Sequence, residues 1–288
     1  MDNLKLEETF IPTNGIRLHT VMAGPQSGPP IILLHGFPET WRCWIKELPG
    51  LVRAGCRVIV PDQRGYNLSD KPKGINGYRM QELTKDILGL IDALEYEKVN
   101  LVGHDFGALV AWMLTIEHPE RLHRLGIVNV PHPAVIRRFL ARDFEQMRRS
   151  WYALFFQLPW LPEMILRTGN WSVLVNGICR SAKPNAFTDE DIAEYKKAWS
   201  QPGAMAAMLN WYRAAFWYRL QIRNNMRVHV RTLMLWGVND VALSRRMARP
   251  SLDYCDEGNL IYFPDATHWV QREEADEINR HLLEFVFS

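Results

Sequence analysis

Five residues, Gly103-His104-Asp105-Phe106-Gly107, constrain this chain more than any other stretch. Ahead of them, Val99-Asn100-Leu101-Val102 is short, apolar and β-branched, the pattern of a buried strand. Behind them, Ala108 to Glu117 is rich in good helix formers and stops before His118-Pro119. The strand must therefore hand over to the helix within a very tight turn. Gly103 and Gly107 lack a β-carbon, so the two elements can crowd together there. The side chain between them is pushed out beyond the C-terminal edge of the sheet. It also sits at a helix N-terminus, where the dipole and free N–H groups favour a carboxylate. A carboxylate held there can attack carbon and form an ester. The same five residues also fit a plain strand–loop–helix crossover with a capping aspartate, so the rest of the chain has to decide.

The rest of the chain supplies an α/β pattern. Arg17 to Ala23 reads as a strand, as do Ile31 to Leu34, Arg57 to Val60 and Leu125 to Val128. Met80 to Ala93 is an amphipathic helix with Leu83, Ile87, Leu90 and Leu94 on one face. Strands that are apolar throughout and alternate with helices imply a mostly parallel sheet covered on both faces. In such sheets ligands bind beyond the C-terminal strand ends. His35, Asp62, Asp105 and Asn129 all lie there. From Pro131 to about Met226 the strand signal disappears, and aromatic-rich helical segments replace it. Thr232 to Trp236 and Leu260 to Phe263 then resume the strand pattern, and Glu277 to Phe287 closes the chain as a helix. The expected organisation is a core over 1–131 and 227–288, with an inserted all-helical lid over 132–226.

Bulk properties exclude several classes. At 288 residues the chain can bury a large core, and a net charge of +2 points to neither a nucleic-acid partner nor an anionic membrane surface. Arg137, Arg138, Arg142, Arg148 and Arg149 cluster, but Asp143 and Glu145 interleave, which suggests a solvated helix face. The apolar stretch Trp151 to Val175 is interrupted by prolines, Arg167 and Gly169, so membrane insertion is not expected. Cys43, Cys56, Cys179 and Cys255 are scattered without a C-x-x-C pair, which fits free thiols and no zinc. No signal-peptide core precedes Phe10, and a cytoplasmic location is expected.

Two residues in the second half complete a constellation. Asp240 follows the strand ending at Trp236, and His268 follows the strand ending at Phe263. Nucleophile, acid, histidine is the chain order of the hydrolase triad, with Asp105 at the nucleophile elbow. Asp265 is the nearer acid to His268 but suits a turn with Pro264. Asn129 occupies another position where an acid can stand, yet an amide carries no charge to set against an imidazolium.

Three blocks make the chain resemble an epoxide hydrolase of the α/β-hydrolase superfamily. They are His35-Gly36-Phe37-Pro38-Glu39, the elbow itself, and Ser150-Trp151-Tyr152 continuing to Pro159. A further segment, Asn210-Trp211-Tyr212-Arg213, resembles the one bearing the family's second lid tyrosine. The resemblance runs from about Phe10 to the C-terminus. It implies that Asp105 opens the epoxide as nucleophile while Tyr152 and Tyr212 donate hydrogen bonds to the departing oxygen. His268, oriented by Asp240, would then activate water against the ester. The backbone N–H groups of Phe37 and Phe106 would form the oxyanion hole, and Phe37, Phe106 and Trp41 would line an apolar substrate pocket. Tyr218 is the decoy for Tyr212. No metal or organic cofactor is implied. The partners would be a small apolar epoxide and water, acting on a monomer or homodimer. A dehalogenase with the same nucleophile is the first alternative, although Phe106 offers a halide no side-chain donor. A silent hydrolase fold that only binds is the second.

Overall fold

The apolar runs become strands whose side chains fill two cores, one on each face of a sheet. The computed structural model describes residues 4–218 and 226–288; the last part of the predicted lid, residues 219–225, lies outside the described residues. The strands are β1 Glu7–Thr13, β2 Ile16–Ala23, β3 Pro30–Leu34, β4 Arg57–Pro61, β5 Val99–His104, β6 Leu122–Val128, β7 Thr232–Gly237 and β8 Gly258–Phe263. They form one eight-stranded sheet in the order β1-β2-β4-β3-β5-β6-β7-β8. All neighbours pair parallel except β1 with β2 and β2 with β4. Strand periodicity divides the side chains between the faces. Ile32, Leu34 and Leu101 join one apolar cluster, while Ile31, Leu33 and Val102 join the other.

Strand β1 has no counterpart in the sequence reading. It forms a hairpin with β2 through Asn14 (φ 42°) and Gly15 (φ 75°), two residues that accept positive φ.

Helices cover the sheet. In the first half these are α1 Leu48–Arg53, α2 Met80–Ala93 and α3 Phe106–Glu117. The stretch after β6 carries α4 Pro133–Arg142, α5 Phe144–Arg149, α6 Trp151–Phe155, α7 Leu161–Ser181, α8 Asp189–Trp199 and α9 Ala204–Trp217. Among the described residues it contains no strand between β6 and β7. Three more helices, α10 Ala248–Leu252, α11 Val270–Glu273 and α12 Ala275–Phe287, finish the chain. None of the helices among the described residues is long and apolar enough to cross a membrane.

Candidate active site

The turn from β5 to α3 is as tight as its glycines require. A β-carbon on Gly103 would lie 2.4 Å from the Gly107 carbonyl oxygen, and one on Gly107 would lie 2.5 Å from the carbonyl oxygens of Leu34 and His35. Asp105 sits between them at φ 50°, ψ −125°, a conformation an L-residue adopts only under constraint. The constraint includes Gly36, where an added β-carbon would lie 2.2 Å from that of Asp105. The carboxylate is thus held beyond the end of β5, pressed against the loop after β3.

That loop supplies a donor. The Phe37 N–H donates to Asp105 Oδ1 at 2.8 Å, and the other oxygen, Oδ2, lies 3.7 Å from His268 Nε2. Phe106 is the first residue of α3, so its N–H has no acceptor within the helix. Beneath the loop, His35 Nε2 accepts the Gln63 N–H at 3.0 Å while the Gln63 side chain donates to the His35 carbonyl.

His268 joins Asp105 to Asp240. Its Nδ1 meets Asp240 Oδ2 at 2.7 Å. Asp240 is buried and well supplied with donors: the Ala242 and Leu243 N–H groups reach Oδ1 at 2.7 and 2.8 Å. Asn129 Nδ2 donates to Asp240 Oδ2 at 2.9 Å, while its Oδ1 accepts the Gly237 N–H. The amide that sequence reasoning rejected as an acid thus fixes Asp240 in place. Asp265 is exposed at the surface.

The charges are mutually supporting. Burial works to raise the Asp105 pKa, but the His268 imidazole and the Phe37 N–H outweigh it and hold it below the ordinary aspartate value. Burial likewise works to lower His268, and Asp240 with Asp105 overcomes it, leaving the imidazole well above its ordinary 6.5. A histidine raised in the folded state stabilises fully below its unfolded pKa, and that stability is lost as pH rises through the folded value. The melting-temperature advantage of the native protein over His268→Gln is therefore expected to shrink as pH is raised from 6.5. A constant difference across that range would contradict the paired imidazolium.

Facing Asp105 is a cluster of aromatic rings from the helical stretch. The Tyr212 ring on α9 meets Phe106 edge-on at 4.7 Å, Phe37 at 5.1 Å, Phe156 at 4.9 Å and Tyr152 at 5.9 Å. Burial, followed by the negative charge of Asp105, pushes the Tyr152 phenol well up. Burial, then Tyr152 and Asp105, does the same to Tyr212. Both therefore remain hydrogen-bond donors at neutral pH. Tyr218 lies elsewhere, 40% exposed, bonded to the Asn76 side chain and covered by Arg79.

Trp41 is not brought to this aromatic cluster. It is buried in the opposite apolar core with Cys43 and Trp44, and its backbone N–H donates to Asp62 Oδ1 at 3.0 Å. It lies in the short helical turn Trp41–Trp44, whose buried residues pack into that core.

A second buried polar set escaped sequence reasoning. His104, inside the elbow, meets the His268 carbonyl through Nε2 at 2.9 Å, so it braces the backbone of the candidate base. Its Nδ1 lies 3.1 Å from Gln271 Nε2 and 3.3 Å from Glu39 Oε2. Glu39 also accepts the Tyr195 hydroxyl at 2.9 Å. Glu39 and His104 both stand inside quoted motifs, so proximity to the triad was the available signal; Gln271 and Tyr195 carried none. Among the described residues no group of three or more His, Cys, Asp or Glu side chains could hold a metal ion.

Known proteins resemble the chain throughout. The alpha/beta hydrolase fold family matches residues 29–170. The AB hydrolase superfamily protein YfhM of Bacillus subtilis is 45% identical over 286 residues, covering 99% of each chain. Human epoxide hydrolase 4 is 36% identical over 284 residues, covering 96% of this chain and 77% of its own. Among solved structures, an epoxide hydrolase of Bacillus megaterium with a bound inhibitor superposes with a TM-score of 0.89 at 26% identity, covering 97% of this chain and all of that one.

Proposed function

The chain belongs to the epoxide hydrolases of the α/β-hydrolase superfamily, and from that premise we propose that it opens apolar epoxides to vicinal diols through an ester on Asp105. One observation carries the reading: Asp105 has His268 at 3.7 Å, and two partly buried tyrosines, Tyr152 and Tyr212, stand close enough for its charge to help keep their phenols protonated. The helical stretch α4 to α9 acts as the lid that closes over this site.

The first step is attack. An oxygen of Asp105 forms a bond to one epoxide carbon as the carbon–oxygen bond of the ring breaks. Charge develops on the departing oxygen, and hydrogen bonds from Tyr152 and Tyr212 strengthen as it does, with a proton passing to the alkoxide from a phenol. Before attack His268 is held as an imidazolium by two carboxylates. Esterification removes the charge of Asp105, leaving Asp240 alone, so the imidazole gives up its proton more readily, and that proton restores the phenol. The proton deficit created in step one and the base needed in step two are thereby linked.

The second step is hydrolysis. Neutral His268, oriented by Asp240, takes a proton from water, which attacks the ester carbonyl carbon. The oxyanion forms on the Asp105 carbonyl oxygen, where the Phe37 N–H already donates, with the Phe106 N–H as second donor. Collapse breaks the bond between carbonyl carbon and diol oxygen; that oxygen takes the remaining proton of the attacking water, which releases the diol and restores the carboxylate, while His268 keeps the proton it took. Free thiols at all four cysteines support a reducing, cytoplasmic setting.

Nothing at the elbow favours a halide. Phe106 has no donor, and Trp211, whose ring meets Phe106 at 5.4 Å, spends its N–H on the Arg64 carbonyl at 2.9 Å. The tyrosine pair tests the reading. Either Tyr→Phe change at 152 or 212 is expected to slow ring opening about a hundredfold, and the double change about 10⁴-fold. Rapid-quench kinetics of ester formation measures this. A double variant as fast as either single one would sink the role of the pair.

A further inference from the structure

Helices α4, α5 and α6 expose apolar and cationic side chains together. Phe144 is 78% exposed, Trp151 64% and Leu154 62%, with Leu140 and Met147 also exposed in the same run. Single exposed apolar residues are ordinary, but five within residues 140–154 form a patch. Arg137, Arg138, Arg142 and Arg148 are exposed among them and make no ion pair among the described residues. The two carboxylates of the stretch are already engaged, Asp143 by Arg246 and Glu145 by Arg149 at 2.6 Å. The net charge of +2 for the whole chain conceals this local excess of positive charge. An open cleft of about 440 Å³ beside the patch has Arg148, Trp151 and Tyr152 among its walls.

We propose that this face docks the protein on an anionic lipid surface. Arginines meet the headgroups while Trp151, Phe144 and Leu154 enter the boundary with the acyl chains. Indole suits that depth because it is apolar with one polar edge. A second copy of this chain is disfavoured: a two-fold dimer through the patch would set its arginines against their own images. The docking rests on charge and exposure. Its use, delivery of an apolar epoxide from lipid through the cleft to Tyr152, rests on the function proposed above.

Flotation of the full chain with vesicles tests the docking without turnover. Binding is expected to phosphatidylcholine–phosphatidylglycerol (1:1) vesicles in dilute buffer, with release at about 1 M salt, where screening is near 3 Å. Arg137→Glu with Arg138→Glu is expected to weaken binding at least about thirtyfold, since each surface arginine contributes roughly fivefold. Phe144→Ser with Met147→Ser weakens it by at least about tenfold through lost apolar burial. Both variants should hydrolyse dissolved styrene oxide as the native protein does, which shows that they fold. Native protein that stays off the vesicles overturns the proposal, as does equal binding by the variants. A dimer in sedimentation velocity that Phe144→Ser dissolves, with vesicles left unbound, reassigns the face to self-association. Vesicle binding without epoxide turnover upholds the docking and removes the substrate reading instead.

Discussion

Asp105→Ala is expected to abolish epoxide hydrolysis, with a loss of more than about 10⁴-fold in kcat. The side chain stands at a backbone position that Gly36, Gly103 and Gly107 leave open and that no neighbour can enter. Its replacement cannot be covered from nearby: Asp240 is committed to His268, and Glu39 to Tyr195 and Gln271. Alanine keeps the strand–turn–helix geometry, so circular dichroism and thermal unfolding should report a folded protein. Turnover within tenfold of the native rate would mean that water, not this carboxylate, opens the ring.

His268→Gln should have an effect as large on turnover but of a different kind. Ring opening consumes no base, so Asp105 still forms its ester; what fails is the removal of a proton from water. Glutamine retains bulk and a hydrogen bond toward Asp240 yet accepts no proton at neutral pH. The protein should then consume about one equivalent of epoxide and stop, as a covalent intermediate does when its second step is blocked. Intact mass should rise by the mass of the substrate, with the adduct on the peptide holding Asp105. Substrate consumed without any adduct, or an adduct on another residue, would refute the assignment.

These predictions rest on features that differ in how far the sequence exposes them. The elbow and the buried strands are local patterns, and Asp105, Asp240 and His268 are each found just past such a strand, in the order nucleophile, acid, histidine. Strand β1 was missed because Glu8, Thr9 and Phe10 are exposed, so it shows no apolar run. The Asn14-Gly15 pair was the hairpin signal that pointed to it. Asn129 was judged as a replacement for the acid, whereas it supports the acid from 111 positions away. Such a contact is made by the sheet, which sets β6 beside β7, and leaves no local trace. The Glu39–Gln271 contact spans 232 positions and is hidden for the same reason. Trp41 shows the opposite error: it was expected among the pocket aromatics, but which of the two cores it joins is not written in its local sequence. The arginines of α4 and α5 illustrate a third limit. They read as a solvated face, and Arg137, Arg138, Arg142 and Arg148 are exposed; what left no local trace is that Arg246, from beyond β7, takes Asp143.

The ester itself is the central claim, and a single turnover tests it most directly. Excess enzyme would react with styrene oxide in heavy-oxygen water, and the diol and the Asp105 peptide would be analysed by mass. A first-turnover diol carrying ordinary oxygen, with the label in the Asp105 carboxylate, is the predicted result. Label appearing directly in the diol, with Asp105 unlabelled, would contradict it.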